Sequence, residues 1–440
     1  MRKAMASAAL LLLALPSWAN SQTPPQRPPQ PPSVAQAAGP TPVPTEKITL
    51  DDAIRLALQH NHALQAIRTT ILQNQAQEVT ANLRPNPVLS WDAQFLPIFE
   101  PSKFTSDWID NQAQFDLGIG YLFEIGKKRE HRLQAAKDAT EQTRWQVSDS
   151  ERQLTFNVAQ QFISGLLAES TLTFAEQDLK SFQQTVDISE TRRKAGDMSE
   201  VDLLKIKLQL LQFQTDVNQA KLAKIQAIAA LRQLLGFESV PDVFDVGGDL
   251  DYAPVHGGLD EFRAMALRSR PDLMAARQGI IAAQSAEKLA EANVKRDLGT
   301  QFTYSHVSST NTGAFFFNIQ LPIFDRNQGE VARTKYVITQ NQQLAEEASQ
   351  QVLTDVLDAY YTLRANDEII QLYRGGYVDQ AKQSRDISEY AYRRGAASLL
   401  DYLDSERSYR ANQLAYRQAL ASYMVAVEQM RQAVGTRTLP

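Results

Sequence analysis

From Ala113 to Phe123 the chain alternates: Phe115, Leu117, Ile119, Tyr121 and Phe123 are apolar, while Gln114, Asp116, Gly118 and Gly120 are polar or tiny. A period of two predicts a strand with one face suited to hydrocarbon and the other to water. Taken alone, the pattern also fits a half-buried strand of a soluble sheet. Three more segments share it. Leu89, Trp91, Ala93 and Phe95 alternate with Ser90, Asp92 and Gln94, predicting a strand over 88–98 to pair with 113–123 across a loop from Glu100 to Asn111. Strands are also predicted over 299–307 and 314–321, the latter with Phe315, Phe317, Ile319 and Leu321 on one face. The first two approach the length of about 9–11 residues that a tilted transmembrane strand needs.

Elsewhere the period lengthens. From Leu50 to Val79 apolar positions recur at three and four, predicting one amphipathic helix that ends before Arg84-Pro85-Asn86-Pro87. Lys127 to Ala195 has no proline and a single interior glycine, Gly165. Unbroken, such a helix reaches ~100 Å. Gly196-Asp197 predicts a turn, and Met198 to Leu235 a helix that returns along the first and stops at Gly236. The order then repeats. Leu259-Asp260-Glu261 echoes Leu50-Asp51-Asp52, Arg268 to Leu273 stands where Gln59 to Leu64 stood, and long helices are predicted over Arg326–Arg394 and Ser398–Val434. Gly395 follows Gly196 by 199 residues, and Gly435 follows Gly236 by the same 199. The expectation is a two-fold internal repeat, 48–236 and 259–435, joined by a connector over 237–258 and followed by a tail over 436–440.

The N-terminus changes the setting. Met1-Arg2-Lys3, the apolar run Ala8 to Leu15, and Ser17-Trp18-Ala19 predict a signal peptide over 1–19, cleaved between Ala19 and Asn20. Residues 20–47, crowded with Pro24, Pro25, Pro28, Pro29, Pro31 and Pro32, predict a disordered spacer, with a proline-rich recognition arm as the other reading. No stretch approaches the ~20 apolar residues of a membrane helix, so an exported chain that crosses a membrane must do so as strands. Net charge is −5 over 440 residues, which argues against a nucleic-acid partner. Without cysteine there is no disulfide, thiolate metal site or lipidated cysteine to expect. His60 and His62, two apart, point away from each other on a helix, and no zinc, phosphate-loop, dinucleotide or nucleophile-elbow motif occurs. Neither an enzyme nor a cofactor is expected.

Four strands cannot close a membrane barrel, whose smallest versions have 8, and an open edge is not tolerated in lipid. Copies must pool their strands. Three give 12, although counting alone also permits two. The fold class expected is an α+β membrane protein.

These features together resemble the TolC-type outer-membrane efflux proteins from Thr49 to Gly435. Within them, Arg84-Pro85-Asn86-Pro87, Glu124-Ile125-Gly126-Lys127-Lys128-Arg129 and Leu321-Pro322-Ile323-Phe324-Asp325-Arg326-Asn327-Gln328-Gly329 are similar to the cobalt-zinc-cadmium (CzcC-like) branch. The resemblance implies a homotrimeric 12-stranded outer-membrane barrel continuous with a long periplasmic helical barrel. It also implies an inner-membrane, proton-driven RND-type pump and a periplasmic adaptor as partners. Many members carry a lipidated cysteine; this chain does not, so its anchoring is expected to rest on the barrel.

The resemblance also assigns residues. The turns holding Gly196, Met198 and Ser199, and Gly395, Ala396, Ala397, Ser398 and Leu399, correspond to the tip where the adaptor docks. Read locally, glycine permits a left-handed turn and serine three residues later caps the next helix. Asp401 and Asp404, three apart on one helix face, correspond to the aperture aspartates, and Asp202 and Tyr392 to a pair linked across helices in the closed state. The family's arginine in the second turn falls at Ala397, leaving Arg393 or Arg394 to replace it. Lys127-Lys128-Arg129 and His131-Arg132 read as a solvated basic face or as a contact with outer-membrane lipid head groups. The function expected is a passive channel of a tripartite efflux system for heavy-metal cations. An organic-solute channel and a soluble periplasmic coiled-coil scaffold are the rival readings.

Overall fold

The computed structural model describes residues 46–439. The signal peptide, its Ala19–Asn20 cleavage point and the spacer as far as residue 45 lie outside the described residues. The chain begins with β1 (Glu46–Ile48), α1 (Leu50–His60), α2 (His62–Asn82), β2 (Val88–Gln94), a short α3 (Ser106–Asn111), β3 (Gln114–Phe123), α4 (Lys128–Ala195) and α5 (Glu200–Leu235). After β4 (Phe244–Val246) come α6 (Leu259–Ser269), α7 (Pro271–Ala292), β5 (Leu298–Val307), β6 (Thr310–Ile319), α8 (Gln328–Leu372), α9 (Val378–Arg393) and α10 (Leu399–Val434). Two short helices, two strands and a long helical return thus occur twice in the same order.

Four expectations change. The single helix predicted over 50–79 is two, because Asn61 is extended (ψ 114°). Its carboxamide oxygen accepts the Leu64 N–H at 2.9 Å while Nδ2 donates to the Leu234 carbonyl at 2.9 Å. One residue therefore ends α1, caps α2 and ties both to the foot of α5. Secondly, the helix predicted over 326–394 is interrupted at Tyr373–Tyr377, where Gly376 adopts φ 108°. Thirdly, Glu46 and Lys47, assigned to the spacer, pair in parallel with Phe244 and Asp245 of the connector. Three-residue strands carry no readable period. Fourthly, strand limits shift. β2 stops at Gln94 because Phe95 is left-handed (φ 56°), and β6 starts at Thr310 because Ser308 and Ser309 (φ 48° and 63°) turn the chain in two residues.

The strands form one antiparallel sheet in the order β2-β3-β5-β6. Its register places Leu89, Ile119, Phe302 and Phe315 in one row and Trp91, Leu117 and Tyr304 in another, all on one face and all exposed. Asp92, Asp116, Ser305 and Thr312 share a row on the opposite face. There Gln94 Nε2 donates to Asp92 at 3.0 Å and to Asp116 at 3.3 Å, and Gln114 Nε2 to Asp116 at 2.8 Å. The polar face is internally hydrogen-bonded while the apolar face has no cover among the described residues. β2 and β6 are the sheet edges, and α4 and α8 carry the chain away from it.

Each half has its own core at the level of its short helices. Ala53, Ile54 and Ala57 of α1 pack on Val158, Phe162 and Leu166 of α4 with Leu231 and Leu235 of α5. Phe262 and Ala266 of α6 pack on Val352, Val356 and Ala359 of α8 with Tyr423 and Met430 of α10. No helix among the described residues is long and apolar enough to cross a membrane.

Candidate functional site at the two helix turns

The two predicted turns are wired alike. Gly196 (φ 87°) donates to the Arg193 carbonyl at 3.2 Å and Asp197 to Arg192 at 2.9 Å. Gly395 (φ 74°) donates to Tyr392 at 3.0 Å and Ala396 to Ala391 at 2.8 Å. Both are Schellman endings, which need a residue at positive φ just past the helix and so favour glycine. Serine then starts each return helix: Ser199 Oγ accepts from Asp202 N–H and Ser398 Oγ from Asp401 N–H, both at 3.1 Å. Gly196, Ser199, Gly395, Ala396 and Ser398 are exposed, with Ala397 half-buried. Met198 and Leu399 turn inward and pack under the turns against Phe182, Ile206, Phe213 and Tyr402.

The four residues expected at an aperture have separate surroundings. Asp401 closes a capping box: its carboxylate accepts from Ser398 N–H at 3.2 Å and from Ser398 Oγ at 2.7 Å. Asp404, one turn on, is exposed with no ion-pair partner among the described residues. Asp202 lies 3.5 Å from Lys205 Nζ. Tyr392 is buried, and among the described residues its hydroxyl has no hydrogen-bond partner and no bond joins it to Asp202.

What holds Tyr392 was missed in the sequence. Arg192, from the first turn, donates to the Tyr392 carbonyl at 3.1 Å and lies 5.4 Å above its ring. Arg393 instead pairs with Glu389, and Arg394 lies over Tyr390. Behind Tyr392, four near-parallel rings cross the helices: Tyr392 on Tyr402 at 5.3 Å, Tyr402 on Phe182 at 6.5 Å, and Phe182 on Phe213 at 4.4 Å. The spacing of Phe182, Val186 and Ser189 on one face of α4 was the available signal, but it does not say which ring meets which.

At the sheet end, the basic run is only partly a surface. Lys128 is buried and pairs with Asp297 at 2.9 Å; Arg132 pairs with Glu124 at 2.7 Å and donates to the Ala81 carbonyl. Lys127 remains exposed, with Arg129 and His131 half-buried. Among the described residues no three or more His, Cys, Asp or Glu side chains gather as metal ligands.

The sequence profile described as Outer membrane efflux protein matches residues 53–237 and 263–436. The chain is 24% identical over 410 residues to the pyoverdine export outer membrane protein OpmQ of Pseudomonas putida, spanning 86% of this chain and 84% of that one. It is 24% identical over 377 residues to the cobalt-zinc-cadmium resistance protein CzcC of Cupriavidus metallidurans, 85% of each. To the cation efflux system protein CusC of Escherichia coli it is 26% identical over 313 residues, 67% of each. A crystal structure of CusC shares the fold with a TM-score of 0.71 at 20% identity, over 92% of this chain and 96% of that one.

Proposed function

This chain belongs to the outer membrane efflux protein family, and from that premise we propose that it is the passive outer-membrane channel of a tripartite export system, working as a homotrimer. The sheet is the observation that carries this reading. Its apolar face is exposed and its edges, β2 and β6, have no further strand beside them among the described residues, which leaves them able to pair with neighbouring copies. An open edge is not tolerated in lipid, and three sheets of four strands give a closed barrel of 12. The helices support the same assembly. On α5, which packs along α4, Val201, Leu204, Leu208, Leu211, Leu222 and Ile225 are all exposed. They fall on a three-four spacing, the seam a coiled-coil neighbour requires. The soluble-scaffold reading offers no use for a continuous exposed apolar sheet.

In this reading the exposed turns at Gly196 and Gly395 receive a periplasmic adaptor, behind which an RND-type inner-membrane pump supplies the cargo. Heavy-metal cations are the cargo proposed, on the strength of the branch motifs and the likeness to CzcC and CusC. A second reading, an organic solute, is favoured by OpmQ, named for pyoverdine export and matched over as much of the chain. At the aperture, Asp404 has both carboxylate oxygens without a partner among the described residues, whereas Asp401 Oδ2 is held in its capping box. A three-fold ring of Asp404 attracts cations and gives divalent ions oxygen ligands.

The assembly is tested by mass measurement in detergent, where a trimer is expected and a stable monomer or dimer would refute it. The aperture is tested in planar bilayers. Asp404→Ala is expected to weaken cation selectivity and relieve divalent block far more than Asp401→Ala; equal effects would remove the distinction.

A further inference from the structure

Above the turns, α4, α5, α9 and α10 all send charged side chains into one place. Asp178 on α4 and Glu406 on α10 are both buried, each one helical turn beyond Phe182 and Tyr402, whose rings stack across the same two helices at 6.5 Å, so the two carboxyls are neighbours on facing helix surfaces. Arg410 of α10 approaches Asp178 to 2.7 Å, pairs also with Asp216 of α5, and lies 4.1 Å above the Phe213 ring. Arg385 of α9 lies 2.8 Å from Asp386, 3.8 Å from Glu406 and 4.4 Å above the Tyr409 ring. Glu389 of α9 and Tyr402, Tyr409 and Arg417 of α10 are the other titratable or charged groups around the pair.

The charges do not balance if every carboxyl is ionised. Arg410 is divided between Asp178 and Asp216, and Arg385 between Asp386 and Glu406; with Arg417 beside them, three arginines face four carboxylates, which leaves one negative charge in excess. Asp386 is half-exposed and solvated by water; Asp178 and Glu406 are not. Two buried carboxyls in contact are most stable when one keeps its proton, since repulsion then becomes an O–H···O hydrogen bond. Burial, and then the neighbouring Asp178, push Glu406 up to about 8. Burial raises Asp178 as well.

We propose that Asp178 and Glu406 share one proton, and that this proton is a latch between α4 and α10 whose loss in alkaline medium loosens the two helix pairs from each other. Protonated, the pair bridges the seam directly. Deprotonated, it sets two anions against each other between helices that the Phe182–Tyr402 contact also joins, one helical turn nearer the chain reversals. The latch acts on conduction only if the channel reading above holds; the shared proton does not depend on that reading.

The test uses the whole protein, in detergent for infrared spectroscopy and in planar bilayers for conductance, from pH 6 to 10. The parent is expected to show a protonated-carboxyl C=O band that disappears around pH 8, with conductance rising over the same interval. Glu406→Gln keeps the side-chain size and an N–H donor toward Asp178, so it should assemble normally, lose the band and hold conductance flat. Asp178→Asn provides the reciprocal variant. A parent without a titrating band overturns the shared proton. A conductance step that both variants retain overturns the latch. A protein that conducts at no pH refutes the channel reading instead, and the band still decides the proton.

Discussion

The long helices of the two halves begin alike and end in the same turn, but only one is continuous. α4 runs 68 residues without interruption, whereas α8 and α9 are separated at Tyr373–Tyr377. Both contain glycine in mid-course, and the glycines serve different ends. A Cβ on Gly165 of α4 would stand 3.2 Å from Val246 of β4, so that glycine lets the connector strand approach the helix, which stays regular. Among the described residues, a Cβ on Gly375 would meet nothing within 4 Å and one on Gly376 only Gln380, yet Gly376 adopts φ 108°. A lone glycine pressed by a neighbour is held in the helix by that contact. Two in succession with no neighbour leave the backbone's entropy cost uncompensated, and the helix breaks. The lesson is that a glycine in a helical pattern is interpretable only with its surroundings.

The largest expected effect comes from uncoupling the two halves. Arg410→Ala leaves Asp178 and Asp216 without their shared cation, and removing one partner of a buried pair costs about 3–5 kcal/mol. Thermal unfolding followed by circular dichroism should show a markedly lower midpoint in this variant; an unchanged one would mean the halves are held together elsewhere. A pH series sharpens the same point. Glu406 in the folded protein holds its proton up to about 8, whereas an unfolded Glu loses it near 4.5. The folded state therefore binds more protons across that window, and stability declines as pH rises through it. Glu406→Gln should remove this part of the decline, and a pH–stability curve identical to the parent's would contradict it.

The helix break offers a pair of opposite signs. Gly376→Ala must place a Cβ at positive φ and should cost about 1–2 kcal/mol. Gly375→Ala, with open space around it and an ordinary φ, should stabilise by about 0.4–1 kcal/mol. Denaturation midpoints moving in the same direction would show that the interruption is not made by Gly376. The smallest effect separates the turns. Ser398→Ala removes a reciprocal box and Ser199→Ala a single cap bond, each costing about 1 kcal/mol, with the first larger. Hydrogen exchange in the first turns of α10 and α5 should reveal that order, and equal protection losses would deny the box any added strength.

Some of this molecule was legible because the signal is local. A strand with one face in hydrocarbon must alternate, as Leu117 and Ile119 do beside Asp116 and Gly118, and the exposure in the structure follows that alternation. The turns at Gly196 and Gly395 were legible for the same reason, since helix endings are made by residues within five positions of one another. The break at Gly375-Gly376 is local too, since two adjacent glycines inside a helical pattern weaken it at that point.

What the sequence by itself determined is therefore the period of each element and the 199-residue recurrence of its turns. Which helix lies beside which was decided only by the tertiary structure. Asp178 and Glu406 each occupy a core-facing position of an amphipathic helix, a warning visible in the pattern, but they are 228 residues apart. Nothing along the chain says that they meet each other, or that Arg192 rather than Arg393 or Arg394 meets Tyr392. Burial and proximity are properties of assembled surfaces: an aspartate in water and an aspartate against a glutamate away from it are the same letter with different proton affinities.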